Sequence, residues 1–115
     1  MEELEKFLKA LADRTRLRIL YLLMSNKNLC VCDIMNGLGM NQTTVSKALS
    51  VLKNADIVTY SRTGLWIFYT LNYENKFISF IINLIKKQFK DDTVIKEDKK
   101  RLMRYIKSID KERKC

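Results

Sequence analysis

Residues 37–54 read GLGMNQTTVSKALSVLKN, a stretch that joins the end of one candidate helix to a second. Gly39 is placed to end one helix in a left-handed conformation, and Asn41 is placed to cap the next. From Gln42 to about Asn54, Val45, Ala48, Leu49 and Leu52 share one side of a helix. Thr43, Ser46, Lys47 and Ser50 share the other. Upstream, Cys30 to Leu38 is expected to form a short helix closed by Gly39. Two short helices joined through a glycine, the second carrying a small polar face, predict a helix-turn-helix. A helix entering a major groove about 12 Å wide needs short side chains that reach base edges. Gln42 suits a bidentate bond to adenine, Thr43 and Thr44 suit bases and thymine methyls, and Ser46 adds a hydroxyl. Lys47 suits guanine or a phosphate. The competing reading is a capped surface helix with ordinary polar residues.

Beyond Asp56 the period changes. Residues 57–62 (IVTYSR) and 65–71 (LWIFYTL) are rich in β-branched and aromatic residues, with Thr63-Gly64 between them, which predicts a β-hairpin. Arg62 and Thr63 fall at or beside its tip, where a basic side chain can meet a phosphate backbone or minor groove. Upstream, Leu4, Phe7, Leu8 and Leu11 form one stripe of a first helix over about 2–12. Asp13 or Thr15 can cap a second, in which Leu17, Leu20, Tyr21 and Met24 repeat the spacing, followed by a polar connector at 25–28. From Glu74, apolar residues from Phe77 to Phe89 cover much of a helix, so it needs more than one neighbour, and a second subunit is the expected source. A highly charged helix over roughly 93–113 carries a sparse seam of Ile95, Leu102, Ile106 and Ile109.

The whole-chain properties fit. The 115 residues suit one domain, with 47% hydrophobic and 30% charged residues and a net charge of +9. Residues 1–92 are expected to form the DNA-binding and dimerisation unit, and 93–115 a basic helix and tail of the same domain. The charge favours a polyanionic partner, above all nucleic acid. No run approaches the ~20 apolar residues of a membrane span, and the N-terminus lacks the pattern of a secretory signal. A cytoplasmic, reducing location and no membrane partner are expected, with Cys30, Cys32 and Cys115 as thiols. Histidine is absent, which removes the commonest catalytic base and the commonest zinc ligand. With no Gly-rich phosphate loop and no paired carboxylates on a cleft scaffold, an enzyme is not expected. A membrane-surface role has only the Lys-rich last helix in its favour. The absence of proline and the three glycines predict a mainly helical chain with one small hairpin.

Residues 8–20 (LKALADRTRLRIL) resemble the N-terminal signature of the ArsR/SmtB family of metal-responsive repressors. Residues 41–58 resemble its recognition helix and first wing strand, and 62–69 (RTGLWIFY) its wing, so the likeness spans about 7–72. Arg14 stands where proline is usual, and Ala48 where histidine is frequent. The resemblance implies a winged helix-turn-helix homodimer, paired through its N-terminal and C-terminal helices, that represses by holding operator DNA.

Residues 29–34 (LCVCDI) resemble the cysteine box of the arsenic-, cadmium- and lead-responsive members. Thiolates select soft ions, and coordination removes the thiol proton. Residues two apart on a helix point about 200° apart, so Cys30 and Cys32 cannot grip one ion from within a regular helix. Ligand binding is therefore expected to distort the start of that helix and lower DNA affinity. The resemblance places a third cysteine where Met35 stands, and a thioether is a poor substitute, so Met35 is expected to pack. Cys115 is the remaining candidate ligand. As(III) or Sb(III) is the expected inducer and Cd(II) or Pb(II) the alternative. Two nearby thiols also permit a redox or persulfide sensor. The zinc, nickel and cobalt sites of other members use histidines, which are lacking here. If the cysteines only fill space, the chain is a DNA-binding module without this switch.

Overall fold

The computed structural model describes residues 1–109. The chain runs α1 (Glu2–Leu11), α2 (Arg14–Ser25), α3 (Val31–Leu38), α4 (Gln42–Asn54), β1 (Val58–Thr63), β2 (Trp66–Leu71), α5 (Ile78–Phe89) and α6 (Thr93–Ser108). This is the mainly helical winged architecture that the residue pattern predicts.

Local chemistry sets most boundaries. The Asp13 carboxylate, not Thr15, caps α2 by accepting the Arg16 N–H at 2.9 Å. The Arg16 side chain returns to the Ala10 carbonyl and closes the α1–α2 corner. Asn41 caps α4 through the Thr44 N–H at 2.9 Å, and Asp92 caps α6 through the Ile95 N–H at 3.1 Å. Gly39 ends α3 at φ 66°, ψ 38°, a conformation a side chain would strain. The hairpin pairs Val58 with Leu71 through Thr63 with Trp66. Its turn is therefore Gly64-Leu65, one residue later than expected, and Arg62 and Thr63 lie at the end of β1. Gly64 supplies the positive φ that a two-residue turn requires.

One core gathers residues from the whole described chain. Phe7 and Leu11 of α1 meet Ile19, Leu20, Leu22 and Leu23 of α2, Ile34 and Leu38 of α3, and the four predicted apolar residues of α4. Ile78, Ile81 and Ile85 of α5 and Leu102 of α6 join them. The α1 stripe divides: Phe7 and Leu11 are buried, while Leu4 and Leu8 face solvent. The α5 helix divides likewise, with Phe80 77% and Leu84 46% exposed. No helix of the described residues is long and apolar enough to cross a membrane.

The last helix departs most from its expected form. α6 lies across α3 and α2, and its buried line is Ile95, Asp98 and Leu102 rather than purely apolar. Gly37 of α3 makes this approach possible, since a Cβ there would stand 3.3 Å from Leu102 Cβ and 3.0 Å from Leu22 Cδ1.

Candidate nucleic-acid interface and thiol site

The proposed base-reading residues occupy one accessible end of α4. Gln42, Thr43, Thr44 and Lys47 are exposed and Ser46 is half-buried, while Val45, Ala48, Leu49 and Leu52 anchor the opposite side in the core. Arg62 and Thr63 are exposed near the hairpin tip, and Leu65 in the turn is 96% exposed. Lys53 at the end of α4 lies over the Tyr60 ring at 4.3 Å, and Tyr60 meets Tyr69 edge-on at 5.9 Å. Cation–π and edge contacts thus tie the base of the hairpin to the helix it flanks.

Cys30 and Cys32 flank the start of α3, the first helix of the DNA-binding motif. Contrary to the sequence-based boundary, Cys30 lies outside the helix: it is the N-cap, extended at φ −85° and ψ 170°. Cys32 is the second helical residue. The start is closed as a capping box, in which Cys30 Sγ accepts the Asp33 N–H. In return the Cys30 N–H donates to the Asp33 carboxylate at 3.0 Å. Sulfur is a weak acceptor, so the carboxylate half holds most of the box. Cys30 and Asp33 are buried, whereas Cys32 is half-buried. Met35, in the position of the missing cysteine, packs against the core. Cys115 lies outside the described residues. Among the described residues, no three Cys, His, Asp or Glu side chains gather as a metal site.

The residue before Cys30 joins the wing. Leu29 and Tyr69 exchange two backbone hydrogen bonds, of 3.0 and 2.8 Å, in an antiparallel bridge. Cys30 is therefore the chain neighbour of the residue hydrogen-bonded to β2, and the thiol pair is continuous with the helix-turn-helix on the other side. Sequence reasoning missed this bridge because a single pair leaves no strand-length pattern. It missed Asp33 as well, because the familiar capping-box signal begins with serine or threonine rather than cysteine.

A third feature went unread. Asp98 of α6 is completely buried and takes Arg18 Nε and Nη2, each at 2.8 Å, and Arg101 Nη2 at 2.5 Å. These charge-assisted bonds raise the Arg18 guanidinium above its ordinary pKa, against the opposing effect of burial. Arg18 Nη2 also donates to the Leu38 carbonyl at 3.2 Å and Arg101 Nε to the Gly37 carbonyl at 3.0 Å. The last carbonyls of α3 are thereby satisfied by side chains from α2 and α6. The only sequence trace was an aspartate on the apolar seam of α6.

A helix-turn-helix followed directly by a hairpin wing, with polar and basic side chains exposed on both, defines a winged-helix DNA-binding protein. A family profile described as "Bacterial regulatory protein, arsR family" matches residues 13–60. The chain is similar to an uncharacterised HTH-type transcriptional regulator of Methanocaldococcus jannaschii, 46% identical over 72 residues, covering 60% of this chain and 81% of that protein. It is 36% identical over 74 residues to the arsenical resistance operon repressor of Bacillus subtilis (64% of this chain, 70% of that protein). It is also 36% identical over 87 residues to a cadmium resistance regulatory protein CadC homologue of Staphylococcus aureus (76% and 68%). The fold is similar to the homodimeric winged helix-turn-helix DNA-binding domain of a possible ArsR-family regulator from Mycobacterium bovis, with a TM-score of 0.67, 29% identity, and 80% and 82% coverage. The transcriptional repressor PagR of Bacillus anthracis gives a TM-score of 0.65 at 33% identity, with 73% and 93% coverage. The chain belongs to the ArsR/SmtB family of DNA-binding transcription regulators and is a transcriptional repressor of that family.

Proposed function

We propose that this repressor holds operator DNA as a homodimer and is released by trivalent arsenic or antimony bound to Cys30 and Cys32. The observation that carries the reading is the place of the thiols. Cys30 is the cap of the first helix of the DNA-binding motif and adjoins the residue bridged to the wing. For Cys30 and Cys32 to grip one ion, the buried segment around Cys30 must open and its cap on α3 must rearrange. That movement uncaps α3 and pulls on Leu29, so it reaches both α4 and β2. Moving an operator complex from almost fully bound to almost fully free requires a preference of about 5 kcal/mol for the released state.

In this reading Gln42, Thr43, Thr44, Ser46 and Lys47 meet the major groove, and Arg62 and Thr63 meet the backbone or minor groove. Cys115 is assigned as the third thiolate. Leu4 and Leu8 of α1 and Phe80 and Leu84 of α5 supply the self-association face. The Phe7 and Phe77 rings, 5.2 Å apart, and the Glu3–Lys76 contact at 2.6 Å join α1 to the segment leading into α5. A second reading, cadmium or lead on the same thiols, is supported by the longer match to the cadmium-type relative, 87 residues against 74 at the same 36% identity.

The test is a fluorescence-anisotropy titration of a duplex selected by this protein from a random pool, under reducing conditions. Release by arsenite or antimonite, abolished in Cys32→Ser and in Cys115→Ser, is the expected result. Release by cadmium or lead alone moves the assignment to the second reading, and release only after oxidation to a redox sensor. An unchanged response in Cys115→Ser removes that ligand. DNA binding indifferent to every ion and to oxidant refutes the switch.

A further inference from the structure

We propose that Asp98 is a positioning residue for DNA binding, which with Arg18 and Arg101 sets the pose of α3 and of the turn that launches the recognition helix. The inference rests on DNA binding by the family and not on any inducer.

α3 has only eight residues, too few for a helix to persist by itself, so its surroundings decide its direction. Its N-terminal end is fixed by the capping box and by the Leu29–Tyr69 bridge. Its C-terminal end must be fixed separately, because only Gly39, Met40 and Asn41 separate it from α4. The Asp98 cluster sits at that end. Arg101 spans from Asp98 to the Gly37 carbonyl, and Arg18 from Asp98 to the Leu38 carbonyl. Each guanidinium thus bridges the same carboxylate to one of two successive carbonyls of the α3 terminus. Arg101 Nε also lies 3.7 Å from where a Cβ on Gly39 would be, against the turn itself.

The chemistry suits orientation more than cohesion. A completely buried carboxylate loses its hydration, and apolar side chains of similar size often stabilise such a site equally well or better. Planar guanidiniums on a carboxylate instead impose direction, since their donors are held in a rigid fork. A helix end is also where cationic groups interact favourably with terminal carbonyls. Asp98 holds both forks in register from a helix that lies outside residues 13–60, the part shared with the family profile. The exposed polar face of α4 can meet base edges only while α3 keeps its angle, so a released clamp blunts sequence reading before it affects general attraction to DNA.

The experiment uses the full chain and two duplexes of equal length, one selected from a random pool by the wild-type protein and one scrambled. Affinities are measured by anisotropy over a salt series, with circular dichroism and sedimentation confirming a folded protein of wild-type oligomeric state. In Arg101→Ala, affinity for the selected duplex is expected to fall about tenfold or more, as for loss of bonds to a charged group. Affinity for the scrambled duplex and its salt dependence are expected to stay at wild-type values. Asp98→Asn should behave alike, and Arg101→Lys should recover part of the loss because it restores one charged contact. If Asp98→Asn fails to fold, the Arg101 pair decides, since that side chain is one-third exposed. Equal losses on both duplexes, with the salt slope reduced by about 0.9, identify Arg101 as a phosphate contact and overturn the proposal. Unchanged affinities beside a lower melting temperature reduce the cluster to a stabilising contact and also overturn it.

Discussion

Removing the cap of α3 without any inducer tests whether the thiol site is structurally joined to the DNA-binding motif. Three substitutions separate its parts. In Asp33→Ala the carboxylate that accepts the Cys30 N–H at 3.0 Å is gone, and that donor belongs to a residue only 3% exposed. A buried N–H left without its acceptor costs about 1–3 kcal/mol. The carboxylate also lies in the first turn of α3, where a negative charge contributes about 0.3–1 kcal/mol through the helix dipole. Asp33→Ala is therefore expected to lose about 1–4 kcal/mol in all. Cys30→Ala removes the weaker sulfur half of the box and a small buried group, for about 1–2 kcal/mol. Cys30→Ser keeps an acceptor on the Asp33 N–H in a residue that caps well, so it should stay within about 1 kcal/mol of wild type. The assay is urea denaturation followed by far-ultraviolet circular dichroism at fixed subunit concentration, because association shifts apparent stability. Affinity for the selected duplex should follow the same order, with Cys30→Ser near wild type. Equal stability in Asp33→Ala and wild type refutes the capping account. A Cys30→Ser protein that is stable but has lost DNA binding shows instead that sulfur has a role in the DNA-bound state that the capping box does not explain.

Three further outcomes follow from the geometry. Thr43→Ala should lower affinity for the selected duplex and spare the scrambled one, whereas Arg62→Ala should weaken both and flatten the salt dependence by about 0.9; a reversed pattern in anisotropy exchanges the roles of helix and wing. Phe80→Glu alters a side chain that is 77% exposed in one chain, so the subunit should fold normally but sediment as a monomer and lose operator affinity. A dimeric Phe80→Glu protein moves the subunit contact away from α5. Gly37→Ala forces a methyl into the α3–α6 contact against Leu102 Cβ at 3.3 Å and Leu22 Cδ1 at 3.0 Å. Overpacking of about 1–3 kcal/mol should outweigh the up to ~1 kcal/mol gained by replacing a helical glycine, giving a lower melting temperature. A stabilised Gly37→Ala protein means that α6 shifts easily and that its packing on α3 is loose.

Local and periodic signals carried most of the architecture in the sequence. The buried side of α4 is the predicted quartet, because a surface helix must place its apolar residues on one stripe whatever it packs against. Asn41, Gly39 and Gly64 mark a cap, a helix end and a turn through their own short-range chemistry. The Gly64-Leu65 turn still fell one residue later than expected, because hairpin register is set by pairing across two strands and not by either alone. The exposed polar residues of α4 and the cysteines beside α3 were likewise visible as candidates, since residue type and spacing suffice to nominate them. How distant groups meet depends instead on the packing of the whole chain. The Leu29–Tyr69 bridge joins residues forty apart, and Asp98 bonds Arg18 from eighty residues away. Neither leaves a periodic trace, because a single long-range polar contact depends on the packing of whole helices. Whether Cys30 lies in the helix or caps it turned on the Asp33 box, where cysteine stands in for the usual hydroxyl. Periodicity and local chemistry alone specified a winged helix-turn-helix and nominated candidate site residues. The three-dimensional packing placed Cys30 and Cys32 at the joint between helix and wing, and set a buried aspartate on the last helix to fasten the other end of the same short helix.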